Sequence, residues 1–139
     1  MIVDDETGNI TLTLAYPISA NRYWKSFRNR MVVSAEAKAY KAHVCAVARA
    51  NGISDTTIAP VSLALILRPV QPKDWHKRQK TDPKGYTVRC LDIDNALKVG
   101  VDALQGIAYI NDNQVVDLHI KRGLSFEGGA LIVSWSVLA

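Results

Sequence analysis

The sequence has little cysteine: Cys45 and Cys90 are the only two in 139 residues. They form neither a C-x-x-C pair nor a zinc-ligand spacing, which argues against a disulfide framework and a thiolate metal centre. Both read as reduced, small apolar residues that pack. No apolar run approaches the about eighteen residues of a membrane span. The acidic start, Met1 to Glu6, lacks the charged-then-apolar layout of a signal peptide. A soluble, unsecreted, cytoplasmic protein without a membrane partner is the expectation. The three histidines, His43, His76 and His119, have no partner at ligand spacing and read as ordinary surface or loop residues. Internal repeats and low-complexity tracts are absent.

What is present fits one globular domain able to bury a core of its own. Apolar residues make up 48% of the chain, as in ordinary soluble proteins, and the net charge is +4. That charge is too small to indicate a nucleic-acid partner by itself, so its distribution matters more. One basic set is Arg22, Lys25, Arg28 and Arg30, with Tyr23, Trp24 and Phe27 interleaved. A second runs through residues 69–89 and includes Lys73, Lys77, Arg78, Lys80, Lys84 and Arg89, against Asp74 and Asp82. Basic side chains with aromatics between them suit a phosphate backbone with exposed bases, and Trp24 and Trp75 are the candidates for stacking. Solvated loops anchored by their aromatics are the plainer reading.

Residues 1–9 read as a flexible start. From Ile10 to Tyr16 apolar and polar residues alternate, which predicts a half-buried strand. Ser34 is placed as an N-cap for a helix running to Ala50 and stopped by Asn51-Gly52, with Ala37, Tyr40, Val44, Val47 and Ala48 inward. Val61 to Leu67 is a continuous apolar run of strand length. A second helix is expected from Asp94 or Asn95 to Gly106, burying Leu97, Val101 and Leu104. Strands follow over 115–122, with Val116, Leu118 and Ile120 inward, and over 131–137; Glu127-Gly128-Gly129 reads as the turn of a hairpin between them. The expected fold is a single compact α/β (α+β) domain with a mixed sheet and two main helices, in the order β-α-β-α-β-β, with 69–89 as a basic loop.

The most informative stretch is Asp92-Ile93-Asp94-Asn95-Ala96-Leu97-Lys98, followed by Asn111-Asp112-Asn113-Gln114. Asp92 and Asp94 flank a helix start, Lys98 stands one turn further on, and Asp112 is expected to return to the same place from the turn before the next strand. Phosphodiester hydrolysis calls for a hard cation held by oxygen ligands, with positive charge nearby for the scissile phosphate. Aspartates, a helix N-terminus and a lysine supply those parts. A plainer reading also stands. Asp94 is a good N-cap, Asp94 with Lys98 is an i,i+4 surface pair, and Asp112 suits a turn.

These residues, taken with Asp102-Ala103-Leu104, Gly106 to Tyr109 and Asp112 to Val116, resemble the RusA family of Holliday junction resolvases, whose pattern is D-x-D-N-x-x-K followed by D-x-Q-V. Pro17, Ser19, Asn21, Arg22 and Tyr23, then Ser34-Ala35-Glu36 with Tyr40, resemble its N-terminal segment, so the likeness covers about residues 10 to 138. Ile18 stands where the family has a second proline, and Asn111 where an acidic residue often precedes Asp112. The resemblance implies a homodimer that resolves four-way DNA junctions by paired symmetric nicks, in recombination and repair or in phage DNA processing. It implies magnesium, with manganese able to substitute, and no organic cofactor. It places the metal ligands on Asp92, Asp94 and Asp112, the catalytic lysine on Lys98, and a supporting role on Asn95. DNA contacts then fall on Arg22, Tyr23, Lys25, Arg28, Arg30, Lys73, Lys77, Arg78, Lys80 and Arg89. The alternatives are a junction- or fork-binding protein that does not cut, and a phosphoesterase for small substrates. An acidic cluster, which repels phosphate, argues against the first; the basic loops argue against the second.

Overall fold

The computed structural model describes residues 2–4 and 9–138. In chain order the elements are β1 (Ile2–Asp4), β2 (Asn9–Leu14), the short helix α1 (Ala20–Tyr23), β3 (Trp24–Phe27), β4 (Arg30–Val33) and α2 (Ala35–Ala50). After these come β5 (Val61–Arg68), the one-turn helix α3 (Trp75–Arg78), α4 (Ile93–Ala103), β6 (Val115–Arg122) and β7 (Ala130–Val137). The architecture is a single α+β domain with a mixed sheet and, among the described residues, two long helices. No helix among those residues is long and apolar enough to cross a membrane. Of the start expected to be flexible, residues 2–4 pair with β2, while residues 1 and 5–8 lie outside the described residues.

Strand order in the main sheet is β1-β2-β7-β5-β6. This corrects the expected closing hairpin: β7 does not pair with β6 but runs antiparallel to β5 and β2, and β6 runs parallel to β5 on its other side. The continuous apolar run of β5 supplies the reason. A strand without a polar face is at home in the middle of a sheet, with a neighbour on each side. Separating β6 from β7 provides those two neighbours, and the glycine turn at Gly128 and Gly129, both at positive φ, carries the chain across.

The core lies between one face of the sheet and the two long helices. Leu12, Leu14, Leu63, Leu65, Leu131, Val133 and Trp135 meet Ala37, Tyr40, Val44 and Ala48 of α2 and Ala96, Val99 and Ala103 of α4. Ser34 caps α2 as expected, its hydroxyl accepting from the Ala37 N–H at 3.1 Å. Of the stripe expected for α4, Leu104 is fully buried, whereas Leu97 and Val101 are only partly so and the helix buries Ala96, Val99, Gly100 and Ala103 instead. Close packing explains the difference. A Cβ on Gly100 would stand 2.8 Å from Leu65 and 3.2 Å from Leu131, so this small-residue face lets the helix lie directly on the sheet.

The inward stripe expected for β6 is also corrected. Val116 is 63% exposed and Leu118 41% exposed, and only Ile120 is partly buried. β6 is an edge strand, and a register shift against Val61/Ser62 leaves Val116 without a partner in β5. Separately, β3 and β4 form a two-stranded ribbon closed by Arg28 and Asn29, with φ of 49° and 64°, as a tight two-residue hairpin turn demands.

Candidate functional site

Asp92 is the N-cap of α4, but its side chain makes no capping hydrogen bond. Asp94 follows in the first turn. Both are exposed, and neither carboxylate has a hydrogen bond or ion pair among the described residues. The i,i+4 pair that the sequence permits between Asp94 and Lys98 is not formed. Two unengaged carboxylates therefore stand at the positive end of a helix. Tyr16 helps to fix their position: its hydroxyl accepts from the Leu91 N–H at 2.8 Å and lies 3.9 Å from Cys90 Sγ. Partial burial raises the pKa of this phenol above its ordinary value, so it stays neutral.

Two grooves adjoin the first turns of α4. One, of about 640 Å³, is lined by Asp92 and Asn95 together with Arg78, Arg89, Gln71 and Tyr16. The other, of about 680 Å³, is lined by Lys98 with Asn21, Trp24, Lys25 and Met31. Residues of both basic stretches singled out in the sequence thus share a groove with the first turns of α4, Arg78 and Arg89 with Asp92 and Asn95, and Lys25 with Lys98, which local spacing alone could not show.

The 69–89 stretch is folded rather than structureless. Asp82 accepts from the N–H groups of Tyr86 and Thr87 at 3.0 and 2.9 Å. Arg122 donates to the Gly85 carbonyl at 2.8 Å and to that of Val88 at 2.5 Å. Trp75 lies over Gly85, where a Cβ would be 3.4 Å from its ring; this supports the anchoring role weighed for Trp75. Lys73, Lys77, Lys80 and Arg89 are exposed, and Arg78 pairs with Asp74 at 3.4 Å. In the N-terminal set Lys25, Arg28 and Arg30 are exposed, and Arg22 pairs with Glu36. Tyr23 is a correction, because it is fully buried and its hydroxyl donates to Asp102. Trp24 packs edge-on to it at 4.4 Å. Tyr23 therefore anchors the ribbon instead of facing a ligand.

Asp112 does not return to Asp92 and Asp94. Its backbone N–H donates to Gln105 Oε1 at 3.1 Å, and Gln105 Nε2 donates to Asp102 at 2.9 Å. Asp102 is held in turn by Tyr23 and by Lys41 at 3.3 Å. Burial, and then the negative charges of Asp112 and Asp102, keep the Tyr109 phenol protonated far above its usual range. Asp112 therefore belongs to the C-terminal end of α4, while Asp92 and Asp94 begin it. The 11 residues of that helix rise about 16 Å. Accordingly, no group of three or more His, Cys, Asp or Glu side chains among the described residues could hold a metal. The three aspartates are oxygen donors of the kind a hard divalent ion takes, but within one chain they do not fit a single ion.

Gln114 is the main residue that sequence reasoning missed. Its Oε1 accepts from the N–H groups of Ile110 and Asn111, each at 2.9 Å. Its Nε2 donates to the Thr57 and Ala59 carbonyls, also at 2.9 Å. Asn111 closes the turn by accepting from Asn113 N–H at 3.0 Å. The motif glutamine is thus a clamp joining the Asp112 turn to the segment before β5. Four hydrogen bonds at about 0.5–1.5 kcal/mol each, partly replaced by water at the exposed end, set the expected cost of Gln114→Ala at about 2 kcal/mol in urea unfolding. A loss below about 0.5 kcal/mol would show that the turn holds without the clamp.

Comparison with known proteins gives a consistent result. A family model described as Endodeoxyribonuclease RusA matches residues 15–133. The crossover junction endodeoxyribonuclease RusA of Escherichia coli (strain K12) is 31% identical over 123 residues, 87% of this chain and 88% of its own length. The protein of that name from Shigella sonnei is 30% identical over the same shares. The one from Enterobacteria phage 82 is 28% identical over 121 residues, 86% of this chain and 88% of its own.

Proposed function

We propose, from the premise that the chain belongs to the RusA endodeoxyribonuclease family, that it is a structure-specific endonuclease cutting four-way DNA junctions by paired symmetric nicks. The observation that carries this reading is the pair of unengaged carboxylates, Asp92 and Asp94, at the start of a helix whose first turns line two grooves with basic residues. Lys25, Arg28 and Arg30 of one basic stretch, and Lys73, Lys77, Arg78, Lys80 and Arg89 of the other, hold phosphates of the DNA arms. Lys98 places positive charge beside the scissile phosphate, and Asn95 steadies Asp92 across the shared groove. Magnesium, with manganese as a substitute, is the cation that Asp92 and Asp94 serve, and its contribution is to offset charge on the phosphate. The protein acts as a homodimer in the cytoplasm, on recombination junctions or on branched intermediates of phage DNA. A binder that does not cut has no use for free carboxylates beside phosphate.

The test is cleavage of a labelled four-way junction in magnesium, beside duplex of equal length. Paired nicks in the junction and an intact duplex are expected. Junction affinity should fall steeply with salt, since each neutralised phosphate releases counterions. Binding without nicks, in magnesium and manganese and across several junction sequences, would replace the nuclease with a binder.

A further inference from the structure

The groove that holds Lys98 is unlike a simple track for phosphate. It has a volume of about 680 Å³ and is lined by Trp24, Met31, Asn21, Ser26, Lys25 and Lys98. Small-molecule sites have that size, about 300–1,000 Å³. The β3–β4 ribbon builds one wall. Trp24 and Ser26 alternate along β3 and so share a face, and Met31 is the register partner of Ser26. Met31 is 65% exposed, an apolar side chain left open to the groove. Trp24 is held ready. Its ring meets Tyr23 edge-on at 4.4 Å, and Tyr23 is fully buried and donates to Asp102. A ring fixed before binding loses little freedom when a ligand arrives. The neutral polar side chains of the groove, Asn21 and Ser26, make no hydrogen bond among the described residues. An aromatic ring, a thioether, an idle amide and two lysines therefore meet in one place.

We infer that this groove takes one unstacked nucleobase of the DNA, next to the phosphate that Lys98 meets, and that Trp24 and Asn21 set which base is preferred there. This rests on the endonuclease reading above, which places the scissile phosphate at Lys98. A base supplies what the groove lacks. Its apolar face suits Trp24 and Met31. Its edge carries donors and acceptors, and the Asn21 amide has both to offer in return. The phosphates joined to that base meet the charges of Lys25 and Lys98. Unstacking a base costs least where pairing is already interrupted, as at a branch point, so the same groove favours branched DNA over continuous duplex.

Abasic substitution tests this. The nick is mapped on a four-way junction, and the nucleotides on either side of it are replaced, one at a time, by an abasic residue. Removing the base that the groove holds should slow wild-type cleavage about tenfold or more, the scale of one lost base–aromatic stack. Trp24→Ala should be slowed as much on the intact junction and lose nothing further on that abasic one. Losses that multiply, or no loss at either nucleotide, overturn the proposal. Met31→Ala alters an exposed side chain instead of a packed one, and it should show a smaller loss that the abasic junction likewise cancels. Asn21→Ala should bring the rates for the four bases at that position within about twofold of one another; a preference kept in full overturns Asn21 as its reader. Crosslinking gives a readout without cleavage. Junctions carrying iodouracil at successive positions about the branch point are irradiated with the protein in the absence of metal. Attachment to Trp24 or Met31, located by mass spectrometry, is expected. Such a crosslink from a protein that never cuts overturns the endonuclease reading alone. A protein that cuts, with every crosslink elsewhere, overturns the base site and leaves the groove to a protein partner.

Discussion

Asp94→Asn is expected to lower junction cleavage by about a thousandfold or more, equivalent to about 4 kcal/mol of transition-state stabilisation, while junction affinity stays within about twofold. The structure separates these two effects. Asp94 is exposed in the first turn of α4 and engages nothing else, so the amide removes no contact on which the fold depends. Its loss to stability is limited to the favourable placement of a negative charge at a helix N-terminus, about 0.3–1 kcal/mol. Binding gains slightly, if anything, because one carboxylate no longer repels phosphate. Cleavage suffers because asparagine keeps the shape but not the charge that a divalent cation requires. Single-turnover cleavage and gel shift on the same labelled junction provide the check, with urea unfolding as a control. Loss of binding and cleavage together, with a lowered unfolding midpoint, would mean a damaged fold. Cleavage within about tenfold of wild type would remove Asp94 from the chemistry.

Much of this arrangement is legible in the sequence, for local reasons. The ends of α2 are written in Ser34 and Asn51-Gly52, and the alternation of β2 and β7 marks their buried faces. Asp92 and Asp94 are recognisable because their spacing and the helix start are local features. What the sequence obscures depends on partners distant in the chain. The run in β5 shows that the strand is buried, but not that it lies between β6 and β7. The edge position of β6 turns an expected core stripe into exposed surface at Val116 and Leu118. Tyr23 reads as a surface aromatic among arginines, yet Asp102, 79 residues away in sequence, draws it inside. Asp112 is the most instructive case. Motif order places it after the helix, and only the bonds of Gln105 and Gln114 determine at which end of α4 it stands.

Lys98→Ala carries the second large expectation: a fall of about a hundredfold in cleavage rate, as for loss of one preorganised donor beside developing charge, with affinity reduced by no more than about threefold. Lys98 is exposed one turn beyond Asp94, and the two do not pair, so its ammonium is free to meet a phosphate. It lines a groove with Lys25, Asn21 and Trp24. Binding is shared among the basic residues of both grooves, so removing one of them should reduce the salt slope by about one unit and weaken every junction sequence alike. The chemical step has no such reserve, because Lys98 is the one basic residue within α4 itself. Lys98→Arg keeps the charge but spreads it over a planar fork, and it should recover part of the rate without changing affinity. Single-turnover rates at saturating protein, set beside dissociation constants at several salt concentrations, separate the two contributions. Equal losses of rate and affinity in Lys98→Ala would make Lys98 one more phosphate clamp and leave the charge at the scissile bond to Arg78 and Arg89 of the groove that holds Asp92.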